Sequence, residues 1–182
     1  MEHKDAHHNF ASRINLEESP NLVRLFDLAK PYLEGNDLGV GHTERVLEIA
    51  ERHFQIPPQI KELVLATIIL HDIGGKSIKE QYEKGPQIAT ELLKGLGYER
   101  EFIEEVCNII RTHHDRPKTP SEAFKVLYDS DQLVKFSEEE FRYYNSQRDF
   151  RWDEVIRNLY YEHSKRLAIE MLKRRLAEVK AT

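Results

Sequence analysis

Residues 60–75 read IKELVLATIILHDIGG. Ile60, Leu63, Val64, Thr67 and Ile68 recur at the three- and four-residue spacing of one helix face, which continues onto His71 and Asp72. Gly74-Gly75 then breaks the helix. Pro58 falls in the first turn, where its missing N–H costs little, so the expected helix covers about residues 58–72. An apolar face that ends in a histidine and an aspartate carries two ionisable groups toward the side that should be buried. Buried charge is costly unless it is paired or coordinates a metal.

The same pattern extends in both directions. On the N-terminal side, Leu22, Leu25, Phe26, Ala29, Tyr32 and Leu33 mark a helix that ends at Gly35, with Pro31 expected to kink it or stop it early. A helix from about Gly41 to Phe54 has Val46, Ile49 and Ala50 on its apolar stripe, with His42 one step back along it. On the C-terminal side, a loop of about ten residues after Gly74-Gly75 should lead into a helix over about Pro86–Leu96. The next, about Glu99–His114, runs Ile103, Val106, Cys107 and Ile110 into His113 and His114. Ser121 caps a helix to about Phe136, in which Phe124, Leu127 and Tyr128 lead to Asp131. A short Ser-capped helix over Ser137–Tyr144 and one long helix over about Asp153–Val179 complete the chain. Nothing alternates with period two over a useful length, so the class is all-α.

Composition bounds the reading. A length of 182 residues supports one domain, here residues 20–182 behind a polar, aperiodic arm over 1–19 that carries His3, His7 and His8. Lys plus Arg number 27 against 32 Asp plus Glu, a net charge of −5. That argues against coating extended nucleic acid but leaves room for a local basic pocket holding a small phosphate. The single cysteine, Cys107, permits neither an internal disulfide nor a multi-cysteine zinc site. The longest strongly apolar run, Leu63–Leu70, is far short of the roughly 20 residues of a membrane span. The N-terminus MEHKDAHHNF has no signal-peptide character, so the expectation is a cytoplasmic protein that does not engage a membrane.

Four helices thus bring His42, His71 with Asp72, His113 with His114, and Asp131 to their buried sides. Two histidines and two carboxylates facing one interior site can bind a divalent cation. Carboxylate oxygen suits Mn²⁺ or Mg²⁺, and imidazole extends the choice to Fe²⁺, Co²⁺, Ni²⁺ and Zn²⁺.

His42 in GHTERV, His71-Asp72 in LHDIGG and Asp131 in YDSDQL resemble the H…HD…D signature of the HD-domain metal-dependent phosphohydrolases. The upstream H-x-x-R-V (His42, Arg45, Val46) and the downstream D-x-D-x-L strengthen the likeness, whose motif core spans roughly residues 36–136, with 137–182 as a C-terminal helical extension. The resemblance implies a compact multi-helix bundle and one divalent metal ion held by His42, His71, Asp72 and Asp131. It also implies hydrolysis of a small phosphate mono- or diester, often a nucleotide. Asp129 lies in the same final motif but is displaced around the helix, where it reads as a cap, an ion-pair partner or a support for a ligating histidine.

Roles follow from these placements. Asp72 is expected to ligate with one oxygen and orient the attacking water with the other. Adjacent helical residues point about 100° apart, so His113 and His114 are not expected to reach the same place; one of them should serve the substrate. Family members with two metals generally carry a further histidine between the HD pair and this one, and residues 73–112 contain none. That departure favours one metal and counts against a dinuclear-iron oxygenase of the same superfamily. A regulatory module that binds a nucleotide without turnover is the other alternative. Candidate phosphate-binding cations are Arg45, Lys76, Lys79 and Arg116, with Lys118 similarly placed; for each, a structural ion pair or solvation is the ordinary alternative. His53 and His163 default to packing or solvent. Phe141, Arg142, Tyr143, Tyr144, Phe150, Arg151 and Trp152 either stack on a base or pack the C-terminal helix against the domain or against a second subunit in a homodimer.

Overall fold

The computed structural model describes residues 19–181. Among these, nine helices and no strands are present: α1 (Pro20–Leu33), α2 (Gly39–His53), α3 (Pro58–Leu70), α4 (Ile78–Gly95), α5 (Arg100–Ile110), α6 (Glu122–Val134), α7 (Glu138–Asn145), α8 (Trp152–Asn158) and α9 (Glu162–Ala181). The N-terminal arm with His3, His7 and His8 lies outside the described residues. No helix is long and apolar enough to cross a membrane among those described.

Helix α3 is the axis of the core. Every residue from Leu63 to Leu70 is buried, so this helix is apolar all round rather than along the single stripe its sequence suggests. It packs against α1, α2, α5 and α6, while α4 pairs with α5 and α2 with α6. A smaller cluster of Leu133, Phe136, Leu159 and Ala168 joins the end of α6 to α8 and α9.

Four expectations change. Helix α1 continues through Pro31 to Leu33, because the proline falls in the last turn and interrupts little that follows. The anticipated ten-residue loop is short, since α4 starts at Ile78. Ser77 and Glu80 form a reciprocal capping box there, with Glu80 N–H donating to Ser77 Oγ at 3.2 Å and Ser77 N–H to Glu80 Oε2 at 3.3 Å. Pro86, read as a helix start, lies inside α4. Helices α3 and α5 end at Leu70 and Ile110, so His71-Asp72 and His113-His114 occupy the turns just beyond them.

The expected long C-terminal helix is present as α9 but starts at Glu162, the span read from Asp153 being broken at residues 159–161 to leave α8 separate. The cause is Asp129, fully buried on α6, whose two carboxylate oxygens accept the Tyr160 and Tyr161 backbone N–H groups at 2.8 and 3.0 Å. The aromatic segment after α7 mostly packs within the chain. Trp152 stacks on Phe141 at 4.8 Å and touches Phe136 and Phe150 at 4.7 and 4.8 Å between centroids.

Candidate metal centre

His42 enters the site from the first turn of α2, 5% exposed. Its Nδ1 lies 3.0 and 3.2 Å from the Glu140 carboxylate oxygens, and its Nε2 lies 3.1 Å from Asp131 Oδ1 and 3.5 Å from Asp72 Oδ2. Glu140 is fully buried at the start of α7, where Ser137 Oγ accepts its backbone N–H at 3.3 Å. The same carboxylate takes two hydrogen bonds from Arg45, Nε at 2.9 Å and Nη2 at 2.7 Å. A carboxylate behind Nδ1 sets the ring so that Nε2 faces the interior, the usual support of a metal-ligating histidine.

The other two buried histidines share one device. His71 Nδ1 donates to the Ile68 carbonyl at 2.6 Å and His113 Nδ1 to the Ile110 carbonyl at 2.7 Å, each three residues back in the preceding helix. Both rings therefore aim Nε2 into the site, and both Nε2 atoms are buried without a hydrogen-bond partner. His71 Nε2 stands 3.4 Å from Asp72 Oδ2 and 3.5 Å from Asp131 Oδ1, while His113 Nε2 stands 3.6 Å from Asp72 Oδ1. Asp72 thus turns one oxygen to His42 and His71 and the other to His113. Asn36 holds its backbone, donating from Nδ2 to the Asp72 carbonyl at 3.0 Å.

Two groups, His42–His71–Asp72 and Asp72–His113–His114, bring potential ligand atoms within 4.8 Å of one another. The second group corrects the expectation that His113 and His114 cannot reach one place. They sit in the turn after α5, not in a helix, so the 100° helical separation does not apply. Gln81 fixes His114 further: its Nε2 donates to the Gly75 carbonyl at 3.1 Å, which turns its Oε1 to His114 Nε2 at 2.6 Å. That assignment puts the His114 proton on Nε2 and a lone pair on Nδ1.

Electrostatics bind these groups into one unit. Burial alone would push the His42 imidazolium down, but hydrogen bonds to Asp131 and Glu140 overcome it and raise its pKa to about 10. His71 is likewise raised against its burial, by Asp72 and Asp131. Despite their burial, Asp72 and Asp131 are held below the ordinary carboxylate range by the surrounding histidines. His114 is lowered to about 4, first by burial and then by His113. Protons on buried imidazoles here do what a cation would do. A divalent cation fits this donor set, since it would satisfy the same carboxylates and give the orphaned His71 Nε2 a partner.

The centre opens on a cleft of about 200 Å³, whose wall includes His42, Asp72, Asp131, His114, Lys135 and Tyr144. The cations named from sequence are distributed differently. Lys76 reaches the cleft, with Nζ 3.4 Å from Asp37 Oδ1. Arg45 is engaged by Glu140. Lys79 and Lys118 are exposed outside the cleft wall. Arg116 donates Nε to the Asn158 carbonyl at 2.8 Å and lies 4.8 Å over the Tyr160 ring, tying the loop after α5 to the α8–α9 break. His163 packs its ring against Phe54 at 5.0 Å. Asp129 is spent on the Tyr160 and Tyr161 backbone N–H groups in the break before α9, away from this centre.

Sequence reasoning missed Glu140, Gln81 and Lys135. Glu140 had one signal, its position four residues after the buried Phe136, masked by the exposed Glu138 and Glu139 beside it. Lys135 lies one turn after Asp131 on the same helical path. Gln81 had none, because its helix was expected to start later.

The class so defined is an all-α domain whose helix ends converge on a buried histidine–carboxylate centre that could hold a metal ion. Residues 39–181 match the family model described as HD domain, and the chain belongs to the HD-domain family, a superfamily of metal-dependent hydrolases. No curated protein and no solved structure matches the chain.

Proposed function

We propose that this protein is a metal-dependent phosphohydrolase acting on a small phosphate mono- or diester of the nucleotide class. The observation that carries the reading is the pair of buried, unpartnered Nε2 atoms of His71 and His113. They converge with His42 Nε2 on the Asp72 and Asp131 carboxylates beside a small cleft. His42, His71, Asp72 and Asp131 would hold the cation, with His113 and His114 on the far side of Asp72. A bound divalent cation supplies polarisation of a phosphoryl oxygen and acidification of a bound water. Glu140 keeps the His42 ring oriented, and Arg45 holds the Glu140 carboxylate in place. Asp72, with oxygens facing both sides, is positioned to accept a hydrogen bond from the attacking water. His114, neutral near pH 7 with its Nε2–H committed to Gln81, offers Nδ1 as an acceptor at the cleft wall.

Metal analysis of the purified protein, then a phosphate-ester panel with Mn²⁺, Mg²⁺, Ni²⁺ and Fe²⁺, tests this reading. Metal content and turnover should both fall by about 100-fold or more in His71→Ala and Asp72→Ala. Full activity in those variants, or phosphate-ligand binding with no product anywhere in the panel, overturns it.

A further inference from the structure

We propose that Lys135 is the anion-binding cation of the cleft, the side chain that takes the non-bridging oxygens of a phosphoryl group held beside Asp131. The assignment rests on the hydrolase reading of the same site and supplies what that reading lacks, a fixed positive charge for the substrate. Each other cation at or beside the centre faces a carboxylate. Arg45 is joined to Glu140 at 2.7 Å, and Lys76 lies 3.4 Å from Asp37. Lys135 makes no ion pair among the described residues. Its Nζ donates to the Gln132 side-chain oxygen at 2.8 Å and lies 5.2 and 5.9 Å over the Tyr144 and Phe150 rings. All three neighbours are neutral: they aim the ammonium and shield it from water without cancelling its charge.

The charges of the centre lead to the same residue. A single divalent cation balances Asp72 and Asp131, and Arg45 balances Glu140. Lys135 is then the net charge left facing the cleft, half-buried and in need of an anion. Its place one turn after Asp131 ties the phosphate position to the metal position through the rigid end of α6. The ligand class that follows is a compact phosphate ester whose phosphoryl group lies between the metal centre and Tyr144.

The test is titration of inorganic phosphate into the metal-loaded protein, with metal content measured on each variant. Lys135→Gln should weaken phosphate binding about tenfold or more while metal content stays at the wild-type level. Lys135→Arg should recover part of the loss, and Lys76→Gln should change binding less than threefold. With an ester that is turned over, KM should rise more than kcat falls. Should Lys135→Gln fail to fold, Lys135→Met keeps the alkyl stem against Tyr144 and allows the same measurement. Wild-type phosphate affinity in the neutral variant, or no phosphate binding by the wild type, overturns the assignment. Phosphate binding that depends on Lys135 without hydrolysis of any ester would sink the hydrolase reading and leave this one standing. Hydrolysis unaffected by Lys135→Gln would do the reverse.

Discussion

A proton and a divalent cation compete for Nε2 of His42. In the metal-free protein Asp131 and Glu140 raise this imidazole from 6.5 to about 10, against the opposing effect of burial. A folded pKa above the unfolded one stabilises the fold fully below about pH 6.5, and the contribution fades as pH rises toward 10. The cation can take the nitrogen only when the proton has left. Metal affinity should therefore climb with pH between 6.5 and 10, and binding near neutrality should release protons. Calorimetric metal titrations in two buffers of different ionisation enthalpy would read the protons directly; affinity flat across this range would contradict the picture. At this scale much of the site was legible. His42, His71, Asp72 and Asp131 stand out because each continues an apolar helical stripe, where an ionisable residue is anomalous. Glu140 was not legible, because its burial comes from α7 docking on α2 and nothing local distinguishes it from Glu138 and Glu139.

Helices show where local signals compete. Asp129 and Asp131 are two residues apart on α6 and serve unrelated ends, because two steps along a helix turn a side chain by about 200°. One holds the backbone of the break between α8 and α9; the other faces the histidines. Asp129→Ala should therefore cost about 2 kcal/mol in urea unfolding, from loss of a buried carboxylate that answers two N–H groups, with metal content unchanged. Asp131→Ala should show the converse, lost metal with a folded protein. An Asp129 variant that loses its metal while keeping full stability would reverse these roles. Helix α4 teaches the same lesson. Gly85-Pro86 suggested a boundary, yet the Ser77–Glu80 capping box starts the helix two turns earlier. Gly74 makes room for this: a Cβ there would lie 2.6 Å from the Glu80 carbonyl oxygen and 2.7 Å from the Gly85 nitrogen. The close approach brings Gln81 to His114. Gly75 follows at φ 135°, a conformation that favours glycine, and turns the chain into the cap.

Across the molecule, the proposed ligands come from α2, the turn after α3, and α6, with α7 and the turn after α5 packed around them. A cation joining these elements binds the folded state only, and so stabilises the whole domain. At free metal about 100 times its Kd, linkage gives about 2.7 kcal/mol, which for a chain of this size is a rise in Tm of roughly 5–10 °C. Scanning calorimetry with and without chelator would measure it, and an unchanged Tm would show that the centre holds no metal under those conditions. The amino-acid sequence by itself determined the all-α class, the order of most helices and the anomalous polar residues on apolar stripes, because helical periodicity is a local property. Tertiary structure alone decided that α3 is buried on every side, that the C-terminal helix breaks at Leu159, and that Glu140, Gln81 and Lys135 belong to the centre. Those outcomes depend on which surfaces meet, and a carboxylate, an amide or an ammonium acquires its role only when packing removes the water that would otherwise answer it.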